Sequence, residues 1–116
     1  MMQIEFPWPN PKLSPNGRPV PREKARLIKE ARTKAANVAW DAGLRPGCGM
    51  APARVTFHPP PRGTRDLTNM IGSWKATEDG LADALGADDA HWRPEYEVAQ
   101  RMAGGRIVVT LTTTAR

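Results

Sequence analysis

Polar and apolar residues alternate in Gln3-Ile4-Glu5-Phe6, and Pro7-Trp8-Pro9 stops the alternation, which predicts a short first strand with Ile4 and Phe6 on its apolar face. Prolines at 9, 11, 15, 19 and 21 make the next stretch a loop, within which Leu13-Ser14-Pro15-Asn16-Gly17-Arg18 reads as a turn presenting a base. From Arg22 to Ala42 there is no proline or glycine. Ile28, Ala31, Ala35, Val38 and Ala42 recur there at helical spacing, and Gly43 supplies the stop. Ala53 to His58 predicts a second strand with Val55 and Phe57 inward and Arg54, Thr56 and His58 outward, ended by Pro59-Pro60-Pro61. A second helix is expected from a cap at Thr68 or Asn69 to about Leu85, with Met70, Ile71, Trp74, Leu81 and Leu85 on its apolar side. Tyr96 to Met102 and Arg106 to Thr113 suggest an antiparallel hairpin turned at Gly104-Gly105. The order strand, helix, strand, helix, strand, strand implies an α/β (α+β) fold in one domain, residues 1–116, with a small mixed sheet packed against two main helices.

Charge adds a division that the apolar pattern lacks. The formal charge is +5 with a sequence pI near 10.0. Between Pro11 and Lys34 eight Lys or Arg face two Glu, whereas between Asp66 and Ala90 six acids face Lys75 alone. Such a division suits phosphates on the basic part and a metal ion on the acidic part; the plainer alternative is two ordinary solvated faces. Arg22, Arg26, Lys29 and Thr33 fall on one side of the first helix, where they can follow a phosphate backbone. The lone Cys48 has no cysteine or histidine at zinc spacing and fits a reducing compartment. No apolar run approaches the ~20 residues needed to span a bilayer, and the N-terminus lacks the pattern of a secretory leader. A cytoplasmic protein without a membrane segment is expected.

Hard divalent cations such as Mg2+ take oxygen ligands, commonly one or two carboxylates with waters and a substrate phosphate. Asp66, Asp88 and Asp89 are the best candidates in this chain, with Lys75 placed to meet a scissile phosphate and Asn69 to cap, to bind a ligand water or to orient a carboxylate. His58 and His91 have no second ligand at helical or strand spacing beside them, so surface or packing roles are expected. Ser14, Ser73 and Cys48 lack a local nucleophile signature. Of the four tryptophans, Trp40 and Trp74 are expected in the core and Trp8, between two prolines, on the surface.

Three patterns together resemble the RusA family of Holliday-junction resolvases, small dimeric endodeoxyribonucleases: Arg65-Asp66-x-x-Asn69, then Lys75-Ala76-x-x-Asp79-Gly80-Leu81, then Ala84-Leu85-Gly86-x-Asp88-Asp89. Phe6-Pro7-Trp8-Pro9 and Leu13-Ser14-Pro15-Asn16 ahead of a basic helix are similar to that family too. The resemblance implies Mg2+-dependent cleavage of four-way DNA junctions in recombination and repair. It also implies a homodimer, with Asp66 and Asp89 as family acids, Asp88 beside them, and Lys75 as the family lysine. Arg18, Arg22, Lys24, Arg26, Lys29 and Arg65 would then hold the DNA arms.

Thr68 is the departure, because the family usually carries its second aspartate there. A neutral hydroxyl is a poor Mg2+ ligand, so one ligand and one negative charge are missing. The alternative expectation is therefore a catalytically weakened or inactive protein that binds branched DNA. A helix from Met70 to Leu85 would also be on the order of 24 Å long, which sets Asp66 and Asp89 near opposite ends unless the chain folds back or a second subunit completes the site.

Overall fold

The computed structural model describes residues 1–15, 17–62, 66–86, 92 and 94–113. Its elements are β1 (Met2–Pro7), a 3-10 turn (Pro11–Leu13), α1 (Pro21–Asp41), β2 (Met50–His58), α2 (Leu67–Leu85), β3 (Glu95–Val98) and β4 (Arg106–Thr113). The expected α/β architecture is the one observed, a four-stranded mixed sheet with two helices. The strand order across the sheet is β1-β4-β2-β3.

Alternation in the strands builds the core in rows. Ile4, Val109, Val55 and Tyr96 are register partners across the four strands, and Phe6, Ile107, Phe57 and Val98 form the next row. In these rows every member from β1, β4 and β2 is buried, and both helices cover that face. Trp74 of α2 is fully buried and meets Phe6 and Phe57 edge to face, with centroids 5.3 and 6.5 Å away, the arrangement aromatic quadrupoles favour.

The expected hairpin is corrected. β3 and β4 are not neighbours: β2 lies between them, parallel to β3 and antiparallel to β4. The turn itself exists, with Gly105 N–H donating to the Met102 carbonyl and both Gly104 and Gly105 at positive φ. Before that turn the chain follows the end of β2, Ala99 N–H donating to the Phe57 carbonyl and Met102 N–H to that of Pro59. Prolines 59 to 61 have no N–H with which to extend a ladder, so β2 stops, and the later chain can hook over its end and return on the other side.

The apolar stripe of α1 is also corrected. Leu27, Ala35, Ala36 and Ala39 are buried, while Ile28 is 38% and Trp40 43% exposed. Small residues on the inner side let the two helices approach. A side-chain carbon added at Gly80 of α2 would stand 2.2 Å from the Arg32 carbonyl oxygen, so only glycine fits this crossing. Arg32 also ties the helices from outside, its Nε and Nη2 donating to Asp83 at 2.6 and 2.8 Å. These bonds hold the Asp83 carboxyl below its usual range.

Candidate functional site

β1 and β2 are both antiparallel to β4, and β3 is parallel to β2, so the carboxyl ends of these three strands share one end of the molecule. Open α/β sheets bind ligands in the crevice outside such ends. Each helix following a strand there starts from the same end, so the heads of α1 and α2 join the loops after β1 and β2. A cleft of about 480 Å³ lies among them, lined by Trp8 and Pro9 after β1, Ser14 and Gly17 before α1, Arg62 after β2, and Asn69 and Ser73 of α2. Trp8, expected on the surface, is instead half-buried, edge-on to Phe57 at 6.4 Å.

Asp66 stands at the head of α2, exposed. Its backbone is extended (φ −66°, ψ 111°), and its carboxylate accepts from Asn69 N–H at 3.1 Å, which makes Asp66 the helix cap in place of Thr68 or Asn69. The negative charge also complements the positive end of the helix dipole. Asp66 therefore has a structural task, performed through one carboxylate oxygen, beside any chemistry. Thr68 is exposed one residue into the helix, and Asn69 is half-buried on the cleft wall.

Lys75 does not gather with Asp66. Nine helical residues put it roughly 13 Å along the axis and half a revolution round. There its ammonium meets Asp79 at 3.0 Å, and the lysine side chain is 62% exposed. Asp79, Gly80 and Leu81, part of one sequence pattern, thus divide into an ion pair, a helix crossing and a core residue.

Asp88, Asp89, Arg65 and His91 lie outside the described residues. Among the described residues no group of three or more His, Cys, Asp or Glu is placed to hold a metal ion. Asp66 is the one expected metal ligand whose surroundings are described. Arg18, Arg22, Lys24, Arg26 and Lys29 are all exposed, as a phosphate-binding role requires, with Arg26 paired to Glu30 at 2.9 Å. Arg18 and Arg22 stand at or just before the head of α1, on the end of the molecule that bears the cleft. His58 packs where expected, its Nδ1 donating to the Gln100 carbonyl at 2.9 Å.

Glu78 escaped the sequence reading. It is 6% exposed, and its Oε1 accepts from Trp92 Nε1 and from the Tyr96 hydroxyl, both at 2.6 Å. The signal was present in the spacing: Glu78 follows Trp74 by four residues and precedes Leu81 by three, so it shares their inward side.

No family model matches the chain. An uncharacterized protein of Xylella fastidiosa (strain Temecula1 / ATCC 700964) is 35% identical over 118 residues, covering 97% of this chain and 76% of that protein. At that identity and coverage the chain belongs to the same family as the Xylella fastidiosa protein.

Proposed function

We propose that this chain is a Mg2+-dependent, structure-selective endodeoxyribonuclease of the RusA type, acting as a homodimer on four-way or other branched DNA. The observation that carries the reading is the assembly at the carboxyl ends of the parallel strands. An exposed carboxylate at the head of α2, a cleft with an aromatic wall and amide and hydroxyl groups, and the basic head of α1 share one end of the molecule. A polyanion needs cations to hold it, and hydrolysis of a phosphodiester needs hard oxygen ligands beside it.

Asp66 with Asp88 and Asp89 would hold the metal ion, which when bound activates water and neutralises charge on the phosphate. Lys75 would contact phosphate, and Arg18, Arg22, Lys24, Arg26, Lys29 and Arg65 would hold the DNA arms. The length of α2 supports sharing of the site between two chains. Asp66 to Gly86 spans roughly 30 Å at helical rise, and the three residues from Gly86 to Asp89 reach back at most about 11 Å. Asp66 of one subunit and the acid pair of the other would then hold the ion together. Mixing Asp66→Asn chains with Asp89→Asn chains tests this: activity on a synthetic four-way junction should return in the mixture, where each heterodimer regains one complete shared site, whereas sites within single chains would stay broken in both subunits.

A second reading, binding of branched DNA without cleavage, is favoured by two observations. Thr68 offers no carboxylate, and Asp66 already serves as a helix cap. Mg2+-dependent nicking of the junction, with duplex and fork controls and Asp66→Asn as the negative, separates the two readings.

A further inference from the structure

Arg22, Arg26, Lys29, Thr33, Asn37 and Trp40 follow one another along α1 at intervals of three or four residues, which sets them in one stripe. All six are exposed, and the stripe runs roughly 27 Å from the cleft end of the molecule to the opposite end. Among the described residues no acid pairs with Arg22 or Lys29. Two hollows lie along the stripe. One, of about 360 Å³, is lined by Lys29, Lys34, Thr33 and Asn37 together with Glu30, and the next, of about 250 Å³, is lined by Asn37, Trp40 and the Arg32–Asp83 pair. A further cation stands at the tryptophan end, where Arg45 donates to the Trp40 carbonyl at 2.9 Å.

We propose that this outer face of α1 is a binding tract for an unpaired DNA strand, in which the cations hold successive phosphates and Trp40 stacks on a base. The inference deepens the nuclease reading and rests on its DNA-binding part alone, since no metal chemistry enters. An indole 43% exposed on a convex helix finds no base face to cover in a closed duplex, where neighbouring pairs occupy both faces. Unpaired bases offer that face, and stacking with backbone cations is how single strands are held without regard to sequence.

The test is fluorescence anisotropy of a labelled oligothymidine, a blunt duplex and a four-way junction, in EDTA, with the full chain and its variants. Trp40→Ala should weaken oligothymidine binding about five-fold or more while duplex affinity changes little. Trp40→Phe should keep most of the affinity, and Lys29→Ala should lower the salt slope for the single strand by about 0.7. Unchanged oligothymidine affinity in Trp40→Ala, with junction binding intact, would overturn the tract and leave the nuclease reading standing. A shift in sedimentation of Trp40→Ala without a change in DNA affinity would overturn it too, assigning the face to subunit contact. If oligothymidine binds through Trp40 but no junction is nicked in Mg2+, the tract stands and the nuclease reading falls.

Discussion

The Trp92 indole donates to Oε1 of Glu78 across 2.6 Å, and the Tyr96 hydroxyl donates to the same oxygen from β3. One buried carboxylate on α2 thereby fastens the chain after the helix back onto it. Removing the acceptor breaks two buried hydrogen bonds at once, so Glu78→Ala should destabilise the fold by about 2–4 kcal/mol in urea denaturation. Glu78→Gln, which keeps a carbonyl acceptor, should cost less than about 1.5 kcal/mol. Equal losses in the two variants would show that the oxygen is not what matters.

Alkaline stability should depend on Tyr96. Burial first, then the hydrogen bond to Glu78 and its charge, raise the Tyr96 pKa above the ordinary 10.0. The neutral phenol is favoured in the folded state, so its contribution is complete below pH ~10 and is lost as pH rises beyond that value. Melting temperatures followed from neutral pH upward should fall past that point in the native chain and fall less in Tyr96→Phe. Parallel curves would contradict the assignment.

The capping task of Asp66 and the metal role proposed for it can be separated by substitution. Asparagine still caps a helix but carries no charge, so Asp66→Asn should melt near the native chain and abolish Mg2+-dependent nicking. Asp66→Ala should lose the nicking and also about 1 kcal/mol of stability. Nicking that survives in folded Asp66→Asn would remove Asp66 from the metal site.

Thr68 is exposed in the first turn of the same helix, where an added carboxylate meets a favourable dipole and little crowding. Thr68→Asp should raise Mg2+-dependent cleavage of the junction, read as initial rate. No change, or a loss, would show that this position is not the missing ligand.

Gly80 is the tightest point between the helices. Alanine has the better helix propensity by about 1 kcal/mol, yet its methyl would stand 2.2 Å from the Arg32 carbonyl oxygen and 2.8 Å from the Ala35 side chain. Overpacking of this kind costs typically 1–3 kcal/mol. Gly80→Ala should therefore lower stability in a denaturant titration, and a gain would mean that the helices separate easily.

Local pattern carried the elements further than it carried their neighbours. Ile4, Phe6, Val55 and Phe57 face inward as their alternation predicts, because a strand with one covered face must sort its residues by parity. The pairing of β3 with β2 left no comparable local trace. Gly104-Gly105 reports only a turn, and nothing near it says that a strand from far earlier in the chain lies between the two arms. On α1 the alanines leave the inner side ambiguous, since they suit core and surface alike, and the core position expected of a helical tryptophan does not hold for Trp40, which is exposed. The site divides similarly. Asp66, Arg18, Arg22, Lys24, Arg26 and Lys29 stand exposed, as metal-binding and phosphate-binding roles would require, while the carboxylate of Glu78 lay hidden in plain helical register.

β4 follows the other strands in sequence but lies inside the sheet, and among the described residues it is the one partner of β1 there. A chain emerging from the ribosome therefore carries Ile4, Phe6, Val55 and Phe57 without their central neighbour until Arg106–Thr113 has been made. Over that interval the sheet cannot close, and apolar edges stand open to other nascent chains. Its biogenesis is thus all-or-none, and a message truncated before Arg106 should yield aggregate in place of a smaller folded unit.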